Sequence, residues 1–369
     1  MNKAIKYRIY PTTEQRELFA KTFGCCRKVY NLMLADKIAH YKETGKNLMA
    51  TPAKYKKEHP YLREVDSLAL ANEQLHLQTA YKNFFRDVKI GFPKFKSAKR
   101  SRKSYTTNNQ NGTVSIKDKH IRLPKVGLVK AKLHRLPKED WKLKSATISQ
   151  TSDGKYYISV LFEYEEAIVP VYTNKVIGLD YKSDGLYMDS NGNIGNNHKY
   201  YKESHRKLAR LQRRLSRKIG SHKGETKSNN FLKQLLLVNK VHRHIANQRL
   251  DNLHKLSTEI ANQYDIVCVE SLDMKAIANK GFGNGKATMD NGYGMFINML
   301  TYKLSDRQKQ LVKVDKWYPS SQICSQCGKR QKMPLSQRTY RCSCGLEIDR
   351  DYNAAINILN EGLRLLEVA

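Results

Sequence analysis

No run of 18 apolar residues occurs in this chain, so no segment is long enough to cross a bilayer as a helix. The opening residues, Met1-Asn2-Lys3-Ala4-Ile5-Lys6-Tyr7, alternate basic and apolar side chains and lack the continuous apolar core of a secretory signal. A cytoplasmic protein with no membrane partner is expected. Acidic residues are scarce: 34 Asp and Glu face 67 Lys and Arg, a formal charge of +33 over 369 residues. That charge repels itself on a folded surface, and a polyanion is the natural remedy. Nucleic acid is therefore the expected partner, and no small-molecule substrate is. A binder without chemistry, of ribosomal or chromatin type, is the plain alternative. A membrane surface fits less well, because no separate amphipathic anchor stands out. Internal repeats and low-complexity tracts are absent, and the glycine-rich stretch 279–294 lacks the spacing of a phosphate cradle.

Cysteine is also used unevenly. Four of the seven cysteines fall between residues 324 and 344, and the count is odd. That distribution argues for a reducing compartment and a metal site, against a disulfide framework. Cys25, Cys26 and Cys268 sit among apolar neighbours and read as buried thiols.

The length allows two or three domains. Residues 3–10 alternate as a strand, and Thr12 with Gln15 three positions on forms a capping-box signature for a helix. Leu18, Phe19, Phe23, Cys26, Val29, Tyr30 and Met33 recur at helical spacing. A second helix is expected over about 67–88, carrying Leu68, Leu75, Ala80, Phe84 and Phe85. Short alternating segments follow: TVSI, HIRL, GLVKAKL, SATISQ and YYISVLFEYE, with Asn111-Gly112 and Asp153-Gly154 as hairpin turns. They predict an antiparallel barrel or sheet completed by the N-terminal strand. Beyond Pro170, KVIGLD and GLYMDS read as paired strands, with Asn191-Gly192 turning into a third. A long helical region covers about 200–263, with Leu208, Leu211 and Leu215 on one stripe. DIVCVE and LVKVDKW are further strands, residues 279–294 a mobile loop, and Asp351 onward a helix.

Two constellations carry chemistry. Asp180 and Glu270 each close an apolar strand, and Asp351 opens a helix. A carboxylate closing a buried strand costs stability unless it has a partner, and two in one domain suggest a shared cation. Hard oxygen ligands of this kind suit two-metal phosphodiester cleavage by Mg²⁺ or Mn²⁺. Singly, each reads better as a strand-end or capping group; together, in this order of elements, they favour an RNase H-like nuclease. The second constellation is Cys324-x-x-Cys327 and Cys342-x-Cys344, separated by fourteen residues. Two close pairs of thiolates make a structural Zn²⁺ site of ribbon or knuckle type. Four cysteine ligands leave no open position, so this metal would organise the fold. Two basic runs are candidate nucleic-acid contacts: Lys94, Lys96, Lys99, Arg100, Arg102 and Lys103, then Arg206, Lys207, Arg210, Arg213, Arg214 and Arg217. Phe92, Phe95 and Tyr105 suit either base stacking or a core.

The ending CSQCG…YRCSCGLEIDRDYNAAINIL resembles the TnpB (OrfB) proteins of bacterial insertion sequences, relatives of type V CRISPR effectors. KAIKYRIYPTTEQRELFAKTFGCCRKVYN, GFPKFKS, IGLDYKSDGLYMDSNG, DIVCVESL and WYPSSQICSQCG are similar to its other blocks, so the resemblance covers nearly the whole chain. It implies an RNA-guided DNA endonuclease. A transposon-derived guide RNA pairs with one strand of double-stranded target DNA, the protein reads a short adjacent motif, and one site cuts both strands. It implies a multidomain α/β fold. In that fold, 1–10 and 91–170 form an antiparallel β-barrel, and 11–90 a helical recognition unit inserted in it. Residues 171–317 and 349–369 form a RuvC-like (RNase H-like) nuclease domain, and 318–348 an inserted zinc ribbon. It also makes Asp351, not Asp349, the third catalytic carboxylate, and places the protein near the prokaryotic nucleoid. One departure stands out: many relatives carry glycine where Lys182 stands, and this change is expected to affect local strand geometry only. A non-cleaving regulator of transposition and a strand-transferring transposase are the rivals. Retention of all three carboxylates disfavours the first.

Overall fold

The alternation of the first ten residues becomes strand β1 (Asn2–Tyr10), which turns Ile5, Tyr7 and Ile9 inward. The computed structural model describes residues 1–165, 169–195, 198–219, 227–278, 285–334 and 336–368. It contains two compact units, Met1–Glu166 and Ala167–Ala369.

In the first unit, Thr12 caps helix α1 (Thr13–Thr44). Its hydroxyl accepts from Gln15 N at 3.3 Å, and the Gln15 amide oxygen accepts from Thr12 N at 3.1 Å. The helix stops at Gly45, whose φ of 68° suits glycine. Helix α2 (Ser67–Arg86) is capped by Asp66, which accepts from Leu68 N at 3.0 Å. Its buried face differs from the expected one. Ala69, Leu70, Asn72, Glu73 and Leu77 face the core, whereas Leu75 and Phe85 are exposed. The reason is Glu73: this 2 %-exposed carboxylate is held by Lys96 Nζ at 2.5 Å, which lets a polar residue sit on the inner stripe.

Six more strands complete the sheet: β2 (Lys103–Asn108), β3 (Ser115–Lys117), β4 (His120–Leu123), β5 (Gly127–Lys132), β6 (Lys142–Gln150) and β7 (Tyr156–Glu163). Their order is β2-β6-β7-β1-β5-β4-β3, all antiparallel. β1 thus sits in the middle, between β7 and β5. Among the described residues no pairing joins β2 to β3, so the sheet is open along that seam where a closed barrel was one expectation. Asp153-Gly154 makes the β6–β7 turn, with Gly154 at φ 77°. Helices and sheet share one core, in which Phe19 of α1 stacks on Tyr156 of β7 at 5.7 Å.

The second unit is built on a four-stranded sheet, ordered β11-β10-β8-β9. Strands β8 (Val176–Tyr181), β10 (Ile266–Glu270) and β11 (Gln310–Val314) run parallel, and β9 (Tyr187–Asp189) antiparallel beside β8. The expected third strand after Asn191-Gly192 is a single bridge, Met188 to Ile194. The basic helical region is two helices, α3 (Tyr200–Ser216) and α4 (Asn229–Gln263). The Leu208, Leu211, Leu215 stripe packs on Val238, Val241 and Ile245 of α4.

Short helix α5 (Met274–Ile277) follows β10. Residues 279–284 of the glycine-rich stretch lie outside the described residues. The rest is not a loop: it forms helices α6 (Gly285–Asn291) and α7 (Tyr293–Ser305), joined at Gly292 with φ 67°. An ion pair between Arg249 and Asp290, and donation from Asn291 Nδ2 to Ser183 O at 2.9 Å, hold α6 in place. A hairpin of β12 (Thr339–Arg341) and β13 (Glu347–Asp349) leads into helix α8 (Arg350–Val368).

The two faces of the parallel sheet are covered differently. Ile177, Leu179, Val267 and Val269 pack with Leu253 and Ile260 of α4 and with Phe296 and Leu300 of α7. The alternate residues, Gly178 and Cys268, meet α8. A Cβ on Gly178 would lie 2.3 Å from Ala355 O, and one on Gly362 would lie 2.3 Å from Cys268 Sγ. Among the described residues no helix is long and apolar enough to cross a membrane.

Candidate functional site

Parallel pairing brings the first two carboxylates together. Leu179 of β8 is in register with Val269 of β10, so Asp180 and Glu270 are the next residues on adjacent strands, at their carboxyl ends. Strand alternation puts them on the face that Gly178 and Cys268 present to α8. Asp351 lies in the first turn of α8. The close seat of α8 on Gly178 is what carries that turn to the strand ends.

The charges respond to one another. Burial holds the Asp180 carboxyl well above the usual range, and the nearby negative charges of Asp351 and Glu270 add to this. Burial alone pushes Glu270 up to about 7. Asp351 is also buried, which raises it, but cations outweigh that and hold it low: Lys182 Nζ stands 2.6 Å from Oδ2 and Arg350 Nη2 3.3 Å from Oδ1. Tyr293, missed in the sequence, is fully buried beside Asp180 and Glu270, and its hydroxyl has no hydrogen-bond partner among the described residues. Three converging carboxylates, two of them held toward protonation, form a hard-oxygen donor set suited to a divalent cation. Their oxygens do not all lie within 4.8 Å of one another, as the thiol sulfurs of the second site do.

The Asp349/Asp351 choice also has a structural reading. Asp349 Oδ1 accepts from Asp351 N at 2.8 Å and Tyr352 N at 3.1 Å, the bonds of a helix cap. Its carboxylate is therefore engaged by α8, whereas that of Asp351 turns to Lys182.

The second site is the cysteine set. The sulfurs of Cys324, Cys327, Cys342 and Cys344 all lie within 4.8 Å of one another, with 3.6 Å between Cys324 and Cys344 and between Cys327 and Cys342. Tetrahedral zinc with bonds of about 2.3 Å separates its sulfurs by roughly 3.8 Å, so the set fits. Each pair closes on a glycine of positive φ, Gly328 at 76° and Gly345 at 98°. Gly328 N donates to Cys324 O at 2.9 Å and Gly345 N to Cys342 O at 3.0 Å, and both turns aim sulfurs inward. The single residue between Cys342 and Cys344 is thus no obstacle. Asn353 and Asn357, one turn apart on α8, tie this element down. Asn353 Oδ1 accepts from Ser325 N at 3.0 Å, and Asn357 Nδ2 donates to Ser320 O at 2.8 Å and Ile323 O at 2.7 Å.

The basic candidates divide. Lys94, Lys99, Arg100, Arg102 and Lys103 are exposed. Lys96 is matched within its unit: it pairs with Glu73 and lies 4.1 Å above the Tyr30 ring. Arg206, Lys207, Arg210, Arg213 and Arg214 on α3, and Arg217 just after it, are exposed. Arg206 lines a groove with Lys199, Lys202, His205 and Lys286, three of them lysines that no sequence motif singles out. Asn291, which also lines it, donates to Lys182 O at 3.3 Å and Ser183 O at 2.9 Å, so the groove reaches the segment that follows Asp180. Tyr105 is core, between Phe19 and Phe23, while Phe92 and Phe95 are exposed.

A basic α/β chain with a carboxylate cluster and a four-cysteine set able to hold a metal ion is the class these observations define. Comparison with known proteins is consistent with it. Family models match at residues 1–46 (a helix-turn-helix domain of OrfB type), 159–280 ("Probable transposase", OrfB) and 293–358 ("Cas12f1-like, TNB domain"). A "Putative RNA-guided DNA endonuclease" of Streptomyces pristinaespiralis is 34 % identical over 98 % of this chain and 90 % of its own length. One from Escherichia coli K12, InsQ, is 31 % identical over 99 % and 93 %. A Cas12f1 chain solved in complex with sgRNA and target DNA shares the fold, with a TM-score of 0.58 at 13 % identity, covering 98 % of this chain and 99 % of that one. The chain belongs to the TnpB (OrfB) family.

Proposed function

We propose that this chain is an RNA-guided DNA endonuclease of an insertion sequence, cutting target DNA at Asp180, Glu270 and Asp351. The observation that carries the reading is the convergence of two parallel strand ends and the first turn of α8 on one edge of the sheet. Such an edge is where α/β sheets hold ligands. The second unit is then an RNase H-like, RuvC-type nuclease domain with a zinc ribbon formed by 318–348. The first is an antiparallel domain with its helical recognition element.

Bound Mg²⁺ or Mn²⁺ would supply Lewis acidity to the scissile phosphate and its attacking water, in the two-metal manner. Asp180, Glu270 and Asp351 would hold the ions. Tyr293 borders the carboxylates with a free donor. The groove of Lys199, Lys202, Arg206 and Lys286 would fix the phosphates of the strand being cut, and α3 with residues 94–103 would add contacts to guide RNA or DNA. The guide RNA supplies sequence by pairing.

The test is cleavage of a supercoiled plasmid carrying the matched target, with the copurified RNA retained or removed. Cutting should require the RNA and vanish in Asp180→Ala, Glu270→Ala and Asp351→Asn, while target binding persists. Asp349→Asn should still cut, because asparagine caps a helix about as well as aspartate but is a poorer ligand for Mg²⁺. Cutting without RNA, or by Asp351→Asn, refutes the reading.

A further inference from the structure

We propose that Lys182 is a displaceable internal cation of the cutting site: its ammonium neutralises Asp351 until a divalent ion arrives, then swings out toward Asp184. The proposal rests on the reading of Asp351 as a ligand of that ion. Four observations support it. Lys182 follows Asp180 by two residues, at the end of β8, and its side chain is only 12 % exposed. Its Nζ is 2.6 Å from Asp351 Oδ2, and Arg350 lies against the other oxygen, so an ion binding at Oδ2 competes with the ammonium. The backbone is fixed, because Lys182 N donates to Leu186 O at 3.3 Å and Asn291 Nδ2 donates to Lys182 O at 3.3 Å. Movement is thus left to the side chain. A second carboxylate stands ready, with Asp184 Oδ1 4.0 Å from Nζ and its side chain 70 % exposed.

Lysine suits this task. Its charge is compact and rides on a flexible stem, whereas an arginine fork would bind Asp351 through two bonds and resist release. The ammonium stays charged throughout; only its position changes. Competition for one oxygen has a defined consequence. The ion pair holds the carboxylate cluster together without an ion, and sets the divalent-ion concentration at which the site fills. The sequence expectation that Lys182 alters only strand geometry is replaced by a role at the carboxylates.

Mn²⁺ titration of the full chain, followed by electron paramagnetic resonance and calorimetry, tests this in the parent, Lys182→Gln, Asp184→Asn and Asp351→Asn. A charge-assisted hydrogen bond of this kind is worth enough that Lys182→Gln should bind Mn²⁺ about tenfold more tightly. Its melting temperature should fall without Mn²⁺ and rise more than the parent's when Mn²⁺ is added. Asp184→Asn should weaken Mn²⁺ binding by about threefold, since an exposed pair contributes little. Equal or weaker binding by a folded Lys182→Gln overturns the proposal. Unchanged binding by Asp351→Asn overturns the ligand reading itself, which separates the two failures.

Discussion

Replacing Gly178 with alanine should disable cutting without altering any atom of the carboxylate site. The new Cβ would lie 2.3 Å from Ala355 O and 2.8 Å from both Leu359 N and Leu359 Cβ. Two of these three obstacles are backbone, so no rotamer change relieves them, and α8 must move off β8. Overpacking of this kind costs about 1–3 kcal/mol. In a unit of this size each kcal/mol lowers the melting temperature by about 2–4 °C, so a fall of roughly 2–12 °C is expected. The larger effect is on activity. α8 carries Asp351, and a shift of about 1 Å in a reacting group can cost a hundredfold in rate. Calorimetry of the variant, with single-turnover cleavage at saturating Mg²⁺, measures both. Gly362→Ala is the control. Its Cβ meets Cys268 Sγ at 2.3 Å, a side chain, so adding Cys268→Ala should recover part of the loss. No substitution of a side chain should rescue Gly178→Ala. A Gly178→Ala protein that melts and cuts like the parent would refute the seating of α8 on β8.

Two further outcomes follow from the second unit. Asn353→Ala leaves Ser325 N without its partner and Ile323 O with Asn357 alone, at about 1–3 kcal/mol for the group left unpaired, so a chelator should strip zinc from it faster than from the parent. A metal-release assay with a chromogenic chelator reads this, and Cys324→Ser should hold no zinc at all. Replacing Arg206, Arg210 and Arg213 with glutamine should flatten the dependence of log affinity on log salt by about 0.7–0.9 for each phosphate no longer neutralised, measured by filter binding. An unchanged slope would remove α3 from the nucleic-acid surface.

Periodic features were readable from the chain because they depend on near neighbours. The β1 alternation, the Thr12–Gln15 cap and the Leu208 stripe are local patterns, and each sits where its period placed it. The cysteine set was readable because ligand spacing is a chemical constraint. What escaped depends on distant partners. Glu73 lies on the inner face of α2 because Lys96, on a later segment, reaches it, and no helical period reveals that. The glycine-rich stretch looked like a loop until Arg249 and Asp290 were seen to pin α6. Lys182 looked like a change of strand geometry until the residue it touches, 169 positions away, was known. The asparagines of the D-x-N-A-A-x-N motif carried no visible task until their carbonyl partners at 320 and 323 came into view.

That separation of 169 positions bears on synthesis. β8 leaves the ribosome long before α8, and the residues between them include the whole of α3, α4 and α7. Until residue 351 is made, Asp180 and Glu270 have no third partner, and the face of β8 at Gly178 has nothing to lie against it. A nascent chain, or one cut short before that point, would present its basic surfaces to nucleic acid while being unable to cleave it. The cutting function would thus be switched on by the arrival of α8, after the segments that bind have already emerged.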